Sequence, residues 1–299
     1  LASIAAASSA QQIDAFYSGQ YSFTDLGPVP GLPSPAGGLT LQRGDPNTLL
    51  IGGAANGGAG VIKSIGLNRN ANNTIVGFVG ESQDFATAPN IDGGLAYGPD
   101  NVLFATGYPN NTLMQYLPGS TAPDKTIALT GLGIGSSVGA VNFVPSDFGG
   151  AGRMKVVSYN TGQFYDVELI ADGNGLFDLG AVTQTASITG GPEGFVYVPL
   201  GSPLFDVPSI LVSEYGTGTV AVYDADANGN IVNGTRRVFM TGLGGAEGAY
   251  IDHVTGDFLF STFGGGDRVI RVTGFAIPEP STFVLMGLGV VALLRRKRK

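Results

Sequence analysis

Two glutamates occupy the same position in two similar stretches of the sequence. Glu193 begins the stretch EGFVYVP and Glu247 begins EGAYIDH, so that each precedes a glycine and an apolar run. A third carboxylate, Asp92, stands before a similar Gly-Gly-apolar run. If these runs are equivalent strands of one repeat, their carboxylates converge, and a hard cation such as Ca²⁺, which takes roughly 6–8 oxygen ligands, would suit them. The alternative is that they accept hydrogen bonds from main-chain N–H groups at the strand ends.

A second acidic pattern lies in a predicted loop. Asp224, Asp226 and Asn228 alternate before Gly229, as in the first half of a calcium-binding loop. The place of the usual bidentate glutamate is taken by Thr235, and no helical pattern flanks the loop. The related run Asp-Gly-Asn-Gly at 172–175 has the composition of a hairpin turn. The sequence therefore favours a turn at both places over a cation site.

Composition excludes several kinds of catalysis. The chain has no Cys and a single His, His253, which excludes thiol chemistry and any site that needs two imidazoles. The G-x-S-x-G pattern at 135–139 lacks the following helix and the histidine base that a nucleophile elbow requires. We therefore assign no catalytic residue. Four recurring aromatic residues are expected to belong to the core: Tyr97, Tyr159, Tyr215 and Phe263.

The body of the chain is strongly acidic. The whole chain has a net charge of −8, but five of its 15 basic residues are the last five. Residues 1–274 therefore hold 10 Lys and Arg against 22 Asp and Glu. Such a body repels phosphate backbones, so nucleic acid is excluded as a partner and cations or neutral ligands are favoured.

The region between the two ends is built from a repeat of short strands. Runs rich in Val, Ile, Tyr, Phe and Thr are separated by Gly, Asn, Asp and Pro, which is typical of all-β proteins. Five copies are visible, with spacings of 45 to 56 residues between their leading glycines, and each holds about four strands. Repeats of this length predict propeller blades. The leading glycines are Gly38, Gly94, Gly139, Gly194 and Gly248.

The N-terminus is predicted to close the ring. The fifth copy ends near Thr273 after only three strands, whereas the segment YSFTDLG at 21–27 resembles the fourth strand of other copies. We therefore predict one five-bladed β-propeller over residues 13–274, with a two-sheet sandwich as the alternative. Residues 1–12 are small and apolar at their start, which is typical of a signal-peptide remnant or a linker.

The innermost strands resemble those of NHL and gluconolactonase-like propellers, through EGFVY and EGAYI. In gluconolactonase-like proteins a glutamate of such an E-G motif ligates a metal. The resemblance therefore implies a metal site at Glu193 and Glu247, although the proline that usually follows E-G is absent. It also implies an alternative function, a divalent-metal-dependent hydrolase or lactonase that uses the carboxylate ring.

The C-terminus has the order of a sorting signal. Pro278, Glu279 and Pro280 precede an apolar run at 283–294, and a basic cluster follows immediately. The cluster is Arg295, Arg296, Lys297, Arg298 and Lys299. The positive-inside rule predicts that this tail starts in the cytoplasm, with the run as a short transmembrane helix. Residues 275–299 closely resemble the PEP-CTERM signal of exported bacterial proteins.

That resemblance implies a Gram-negative bacterium, export by the Sec machinery and recognition by an exosortase. It also implies a destination at the cell surface or in an extracellular matrix. From all these features we expect a non-enzymatic surface propeller that acts as a binding or structural platform. We expect exopolysaccharide or surface proteins as partners, and Ca²⁺ as the candidate cofactor.

Overall fold

Twenty-one β-strands form five antiparallel sheets in the computed structural model, which describes residues 10–278. Each sheet corresponds to one copy of the repeat, and its strands follow one another outwards from the central axis. No α-helix occurs in the described residues, which contain three short 3₁₀ turns at Pro99–Asn101, Thr130–Leu132 and Tyr215–Thr217. The predicted five-bladed all-β propeller is confirmed.

The first three blades are each formed by four consecutive strands, from the innermost outwards. Blade 1 contains β3 (Leu39–Leu41), β4 (Thr48–Gly53), β5 (Val61–Arg69) and β6 (Ile75–Thr87). Blade 2 contains β7 (Ile91–Tyr97), β8 (Leu103–Gly107), β9 (Thr112–Tyr116) and β10 (Lys125–Ala128). Blade 3 contains β11 (Val138–Phe143), β12 (Met154–Ser158), β13 (Gln163–Ala171) and β14 (Phe177–Ser187).

The last two blades include strands from the N-terminal segment. Blade 4 contains β15 (Pro192–Tyr197), β16 (Ser209–Glu214), β17 (Thr219–Asp224), β18 (Arg237–Thr241) and, at its outer edge, β1 (Gln12–Ile13). Blade 5 contains β19 (Ala246–Ile251), β20 (Phe258–Thr262), β21 (Arg268–Thr273) and β2 (Ser22–Pro28).

The ring closes through β2, as predicted. This strand pairs antiparallel with β21, and Phe23 lies opposite Val272. The pairing is reinforced by a hydrogen bond of 2.9 Å between the hydroxyl groups of Ser22 and Thr273, and by an ion pair between Asp25 and Arg268. Closure removes an open sheet edge, which would otherwise invite aggregation.

The core lies between neighbouring blades. Middle strands such as β16 are buried along their whole length because a blade covers each face, so they read as continuous apolar runs rather than alternating ones. Between blades 4 and 5 the N-terminal segment adds aromatic side chains. Tyr17 stacks on Phe205 with ring centroids 5.5 Å apart, and Tyr21 contacts Phe275 at 4.6 Å. The N-terminal segment therefore contributes to the core as well as to the strand pairing of blade 5.

Glycine lines the axis because the inner strands touch one another there. β7 contacts β15 and β19 across the axis in addition to its neighbours β3 and β11. A Cβ atom on Gly93 would overlap the carbonyl oxygen of Glu193, and one on Gly38 would lie 2.5 Å from the carbonyl oxygen of Gly93. Gly139, Gly194 and Gly248 are similarly crowded by main-chain atoms. No side chain larger than hydrogen fits at these points.

We expect Gly93→Ala to lower the free energy of unfolding by about 1–3 kcal/mol, because the methyl group forces two inner strands apart. Gly58→Ala is the matched control, since a Cβ atom there meets nothing within 4 Å and its φ is not positive. It should change stability by no more than about 0.5 kcal/mol. Urea unfolding followed by circular dichroism measures both, and equal stabilities would show that the axis is not closed by main chain.

Candidate metal centre

Three buried carboxylates meet at one end of the propeller axis. Asp92, Glu193 and Glu247 are each the second residue of the inner strand of their blade, in β7, β15 and β19. The β-ladder register shifts at each of these places, between Ile91 and Leu95 in β7 and over the corresponding residues of the other two strands. A β-bulge turns a side chain away from its regular direction. The bulges therefore account for acidic side chains pointing to the axis from strands that are otherwise apolar.

The three carboxyl groups form one compact cluster. One oxygen from each lies within 4.8 Å of the others, and the side chains are only 1%, 5% and 1% exposed for Asp92, Glu193 and Glu247. Asp92 Oδ2, Glu193 Oε2 and Glu247 Oε1 accept no hydrogen bond from a described group outside the cluster. The Asn56 amide, oriented with its nitrogen towards Asp92, donates to Oδ1 at 2.9 Å. Three unpartnered oxygens in a buried site leave a place for a group that binds oxygen.

Burial raises the pKa of all three acids. The pKa of Asp92 rises to about 8 because burial disfavours its charge, and hydrogen bonds to the neighbouring carboxyl groups, Asn56 and the Gly93 N–H offset part of the rise. The pKa values of Glu193 and Glu247 are also well above the usual range, first because of burial and then because of the nearby carboxylates. Without a cation, burial therefore favours the protonated forms of these groups.

The cluster fits a hard divalent cation. Three oxygens within 4.8 Å of one another need only small side-chain movements to lie at the roughly 2.3–2.6 Å that Ca²⁺ prefers around one centre. The three side chains supply oxygen only, which favours Ca²⁺ or Mg²⁺ over metals that select nitrogen or sulfur. A bound ion would also remove the repulsion between like charges and satisfy the unpartnered oxygens. Asp92, Glu193 and Glu247 occupy equivalent positions of the repeat, and the sequence analysis predicted on that basis that they converge.

Aromatic side chains form a collar above the carboxylates, and this feature was not predicted. A cavity of about 280 Å³ is lined by Glu193 and Glu247 together with one residue from each blade, at or just after the end of its second strand. We call these five residues the collar: Asn56, Tyr108, Tyr159, Tyr215 and Phe263. The expectation that Tyr159 and Tyr215 are core residues was wrong, because each is only partly buried and faces this cavity. Phe263 lines the cavity and also packs against the hydrophobic core.

The rings of the collar contact one another edge to face. The centroids of Tyr159 and Tyr215 are 5.8 Å apart at an interplanar angle of 81°, and those of Tyr215 and Phe263 are 5.9 Å apart at 75°. The pKa values of both tyrosines are raised, first by burial and then by Glu193 and Glu247. The carboxylates therefore interact electrostatically with the tyrosines of the collar. A ligand in the cavity would contact the collar.

The second acidic pattern is arranged as a turn. Asp226 Oδ1 accepts hydrogen bonds from the main-chain N–H groups of Asn228 and Asn230, both at 2.8 Å. Asp224 instead forms an ion pair of 2.7 Å with Arg237. Asp226 is thus engaged by the turn and Asp224 by Arg237, which favours a turn over a cation site formed by Asp224, Asp226 and Asn228.

The remaining candidates lie elsewhere. His253 follows β19 and lines a cavity at the opposite end of the axis. Pro278 is the last described residue. Glu279 and Pro280, the predicted helix at 283–294 and the basic cluster at 295–299 lie outside the described residues, as does most of the signal-peptide remnant predicted at 1–12.

The fold is that of a β-propeller, and solved propeller structures resemble it at low sequence identity. An auxiliary nutrient binding protein from Bacteroides ovatus is 12% identical, with a TM-score of 0.46 over 85% of this chain and 76% of that one. The PQQ domain of pyranose dehydrogenase from Coprinopsis cinerea is 10% identical, with a TM-score of 0.48 over 88% and 97%. The PQQ-bound aldose sugar dehydrogenase from Streptomyces coelicolor is 16% identical, with a TM-score of 0.41 over 83% of both chains. Similarity at this level carries no inference about ligands or activity.

The C-terminus carries a PEP-CTERM protein-sorting motif, which matches residues 276–299. The resemblance noted in the sequence is therefore confirmed, and the motif implies an exported protein that is sorted to the cell surface. No curated protein sequence is significantly similar to the chain. Among residues 10–278, no helix is long and apolar enough to cross a membrane.

The raised pKa values predict how stability depends on pH. Because the pKa of Asp92 is about 8 in the folded protein and about 3.9 in an unfolded chain, folding takes up a proton between these values. The free energy of unfolding should therefore fall as pH rises from about 4 to about 8, and level off above. Asp257, whose pKa is raised to about 6, acts in the same direction at lower pH.

Chemical unfolding between pH 6.5 and 8 in EDTA distinguishes the contribution of Asp92 to the pH dependence of stability from that of Asp257. Wild-type protein should lose stability across this window. Asp92→Asn should reduce the loss because an amide cannot ionise, and Glu193 and Glu247, whose pKa values are also raised, account for what remains. Asp257→Asn is the control, and it should leave this part of the profile unchanged. A wild-type profile that is flat or rises over the same window would contradict the protonated cluster.

Proposed function

We propose that this protein is an exported surface propeller that binds a divalent cation, with Ca²⁺ as the best candidate, through Asp92, Glu193 and Glu247. The observation that carries the proposal is the buried cluster itself, with three carboxylate oxygens within 4.8 Å and one unpartnered oxygen on each residue. The ion would form the floor of the 280 Å³ cavity and the collar its wall. A ligand entering there would contact both.

Binding is favoured over catalysis by what lines the cavity. Its walls are aromatic and amide groups, and none of its described lining residues is a histidine, lysine or arginine. A general base would therefore have to be one of the carboxylates that hold the ion. The rigid position of each collar residue at the end of a buried strand suits a recognition surface.

One observation supports the alternative of a divalent-metal-dependent hydrolase or lactonase. A cation held by the three carboxylates beside the cavity of about 280 Å³ could polarise the carbonyl group of a substrate bound there. Turnover of a lactone such as glucono-δ-lactone, dependent on added cation and lost in Asp92→Asn, would establish that function. Absence of turnover by protein shown to hold the ion would leave the binding function.

The PEP-CTERM motif supports a cell-surface location for this binding function. We propose that the Sec machinery exports the chain, that the run at 283–294 holds it in the membrane with the basic tail in the cytoplasm, and that an exosortase then acts on it. The destination would be the surface or extracellular matrix of a Gram-negative bacterium. Exopolysaccharide or other surface proteins would be its partners, with the propeller as a rigid platform.

Calcium should stabilise the folded protein. At 100 times its dissociation constant, an ion that binds only the folded state adds about 2.7 kcal/mol to the free energy of unfolding. The double variant Glu193→Gln, Glu247→Gln should lose this gain. It should also be slightly more stable than wild type in EDTA, because an amide has neither the cost of burying a charge nor the cost of taking up a proton on folding.

The matched control is Glu81→Gln, Glu168→Gln, which neutralises two exposed glutamates and should keep the full response to calcium. Thermal unfolding with and without CaCl₂ measures all three proteins. A wild-type melting temperature that ignores both Ca²⁺ and Mg²⁺ would refute the cation site, and the carboxylates would then serve only the fold.

The sorting proposal predicts processing near Pro280. Protein recovered from the cell surface should lack the residues that follow this motif, whereas the total cell extract should also contain the unprocessed chain. Mass spectrometry of the C-terminal peptide distinguishes the forms. Surface protein that still ends in the cluster Arg295–Lys299 would instead indicate a simple membrane anchor.

A further inference from the structure

A second and larger cavity lies at the opposite end of the axis from the carboxylates. It has a volume of about 660 Å³ and is lined by residues at the ends of the inner strands and in the turns that follow them. We call it the basal cavity. Its polar and aromatic lining includes Arg43, Tyr97, Asn142, Tyr250 and His253. No Asp or Glu is among its described lining residues, although the body of the protein is acidic.

Within residues 10–278, Arg43 is distinguished from the other basic residues by its lack of a carboxylate partner. Residues 10–278 contain ten Lys and Arg side chains, and nine of them form ion pairs within 4.0 Å of an Asp or Glu. Arg43 donates one hydrogen bond of 3.3 Å to the Gly98 carbonyl oxygen and lies 5.4 Å from the centroid of the Tyr97 ring. With 22 acidic residues available in the same part of the chain, this unpaired guanidinium is an exception.

Two acidic residues in this region already have basic partners. Asp252 follows the strand that carries Tyr250, but its carboxylate is fully buried and forms an ion pair of 2.6 Å with Arg69. Asp84 lines a neighbouring cavity together with Arg43 and forms an ion pair of 2.7 Å with Lys63. The guanidinium is an exposed cation at the wall of a large cavity, and its one hydrogen bond to a described residue leaves most of its donors available to a ligand.

The walls beside Arg43 are suited to a sugar ring. Tyr97 and Tyr250 present aromatic surface with hydroxyl groups, and the Tyr250 hydroxyl lies 3.2 Å from His253 Nδ1. Burial raises the pKa values of both tyrosines, so their hydroxyl groups stay protonated and can donate hydrogen bonds. A planar guanidinium pairs with a carboxylate through two parallel hydrogen bonds.

We propose that the basal cavity binds an acidic saccharide, with the carboxylate of a hexuronate on Arg43 and its ring against Tyr97 and Tyr250. This site is separate from the carboxylate cluster, because the inner strands touch one another across the axis between them. It also does not depend on a bound cation. The protein would thereby hold an anionic sugar at one end of its axis and a cation at the other.

The chain itself provides one competing occupant. Ile277 and Pro278 line the basal cavity, and the next residue in the sequence is Glu279. Its carboxylate could take the place proposed for the saccharide. The experiment therefore includes Glu279→Gln alongside the variants of the cavity.

Isothermal titration calorimetry of the full chain in detergent and EDTA tests the proposal with glucuronate, glucose and acetate as probes. EDTA removes any contribution from a cation at the carboxylate cluster. Glucuronate should bind at least tenfold more tightly than either glucose, which lacks the charge, or acetate, which lacks the ring. Arg43→Ala should weaken glucuronate binding by about tenfold or more, since hydrogen bonds to charged groups are lost.

Two variants distinguish specific recognition by Arg43 from a general effect of positive charge on binding. Arg43→Lys, which keeps the charge but not the planar fork, should bind more weakly than wild type and more tightly than Arg43→Ala. Arg237→Ala removes a positive charge from a surface ion pair and should bind as wild type does. The melting temperature of each variant verifies that it is folded.

Three results would overturn the proposal. One is no binding of glucuronate by wild type at millimolar concentration, and another is binding that is unchanged in Arg43→Ala. The third is binding that appears only in Glu279→Gln, which would show that the cavity serves the chain's own glutamate. Equal affinity for acetate and glucuronate would remove the saccharide from the proposal. None of these results bears on the cation site.

Discussion

The structure depends on one constraint, which is the close approach of the main-chain atoms of the five inner strands at the axis. With five blades, the inner strands contact partners across the ring as well as beside them, and glycine is required at the contact points. This packing leaves no open channel between the strands at these points. The axis is therefore divided into two cavities with different chemistry, and both candidate sites follow from that division.

The two ends differ because charges are placed differently at them. At one end, β-bulges direct Asp92, Glu193 and Glu247 to a common point, where burial makes three negative charges unfavourable without protons or a cation. At the other end, Arg43 is exposed and has no carboxylate partner among residues 10–278, whereas the other described Lys and Arg side chains form ion pairs. The buried, unpartnered carboxylates cost stability, and a bound cation would offset that cost.

The sequence predicts the fold well because the repeat is local. Each blade is one run of consecutive strands, so the spacing of Gly38 through Gly248 reveals five of them, and the strand missing at Thr273 points to the N-terminal segment. The carboxylate cluster is predictable for the same reason, since equivalent positions in a ring converge. The addition of β1 to blade 4 carries no such signal, because its two residues match no part of the repeat.

The collar and the basal cavity needed the three-dimensional structure. Tyr159 and Tyr215 look like core residues in the sequence, since nothing in a strand pattern tells which strand end faces a cavity. Arg43 is one of ten basic residues before the tail, and its lack of a partner is a property of tertiary packing. Sequence periodicity records which strands are buried, whereas pairing between blades depends on side chains far apart in the chain.

Anomalous X-ray diffraction from crystals grown with Mn²⁺ in place of Ca²⁺ tests the central claim most directly. The account predicts one strong anomalous peak on the propeller axis, within bonding distance of oxygen atoms from Asp92, Glu193 and Glu247, beneath the collar. A well-ordered cluster with no peak, its carboxyl oxygens still close together and sharing protons, would contradict it.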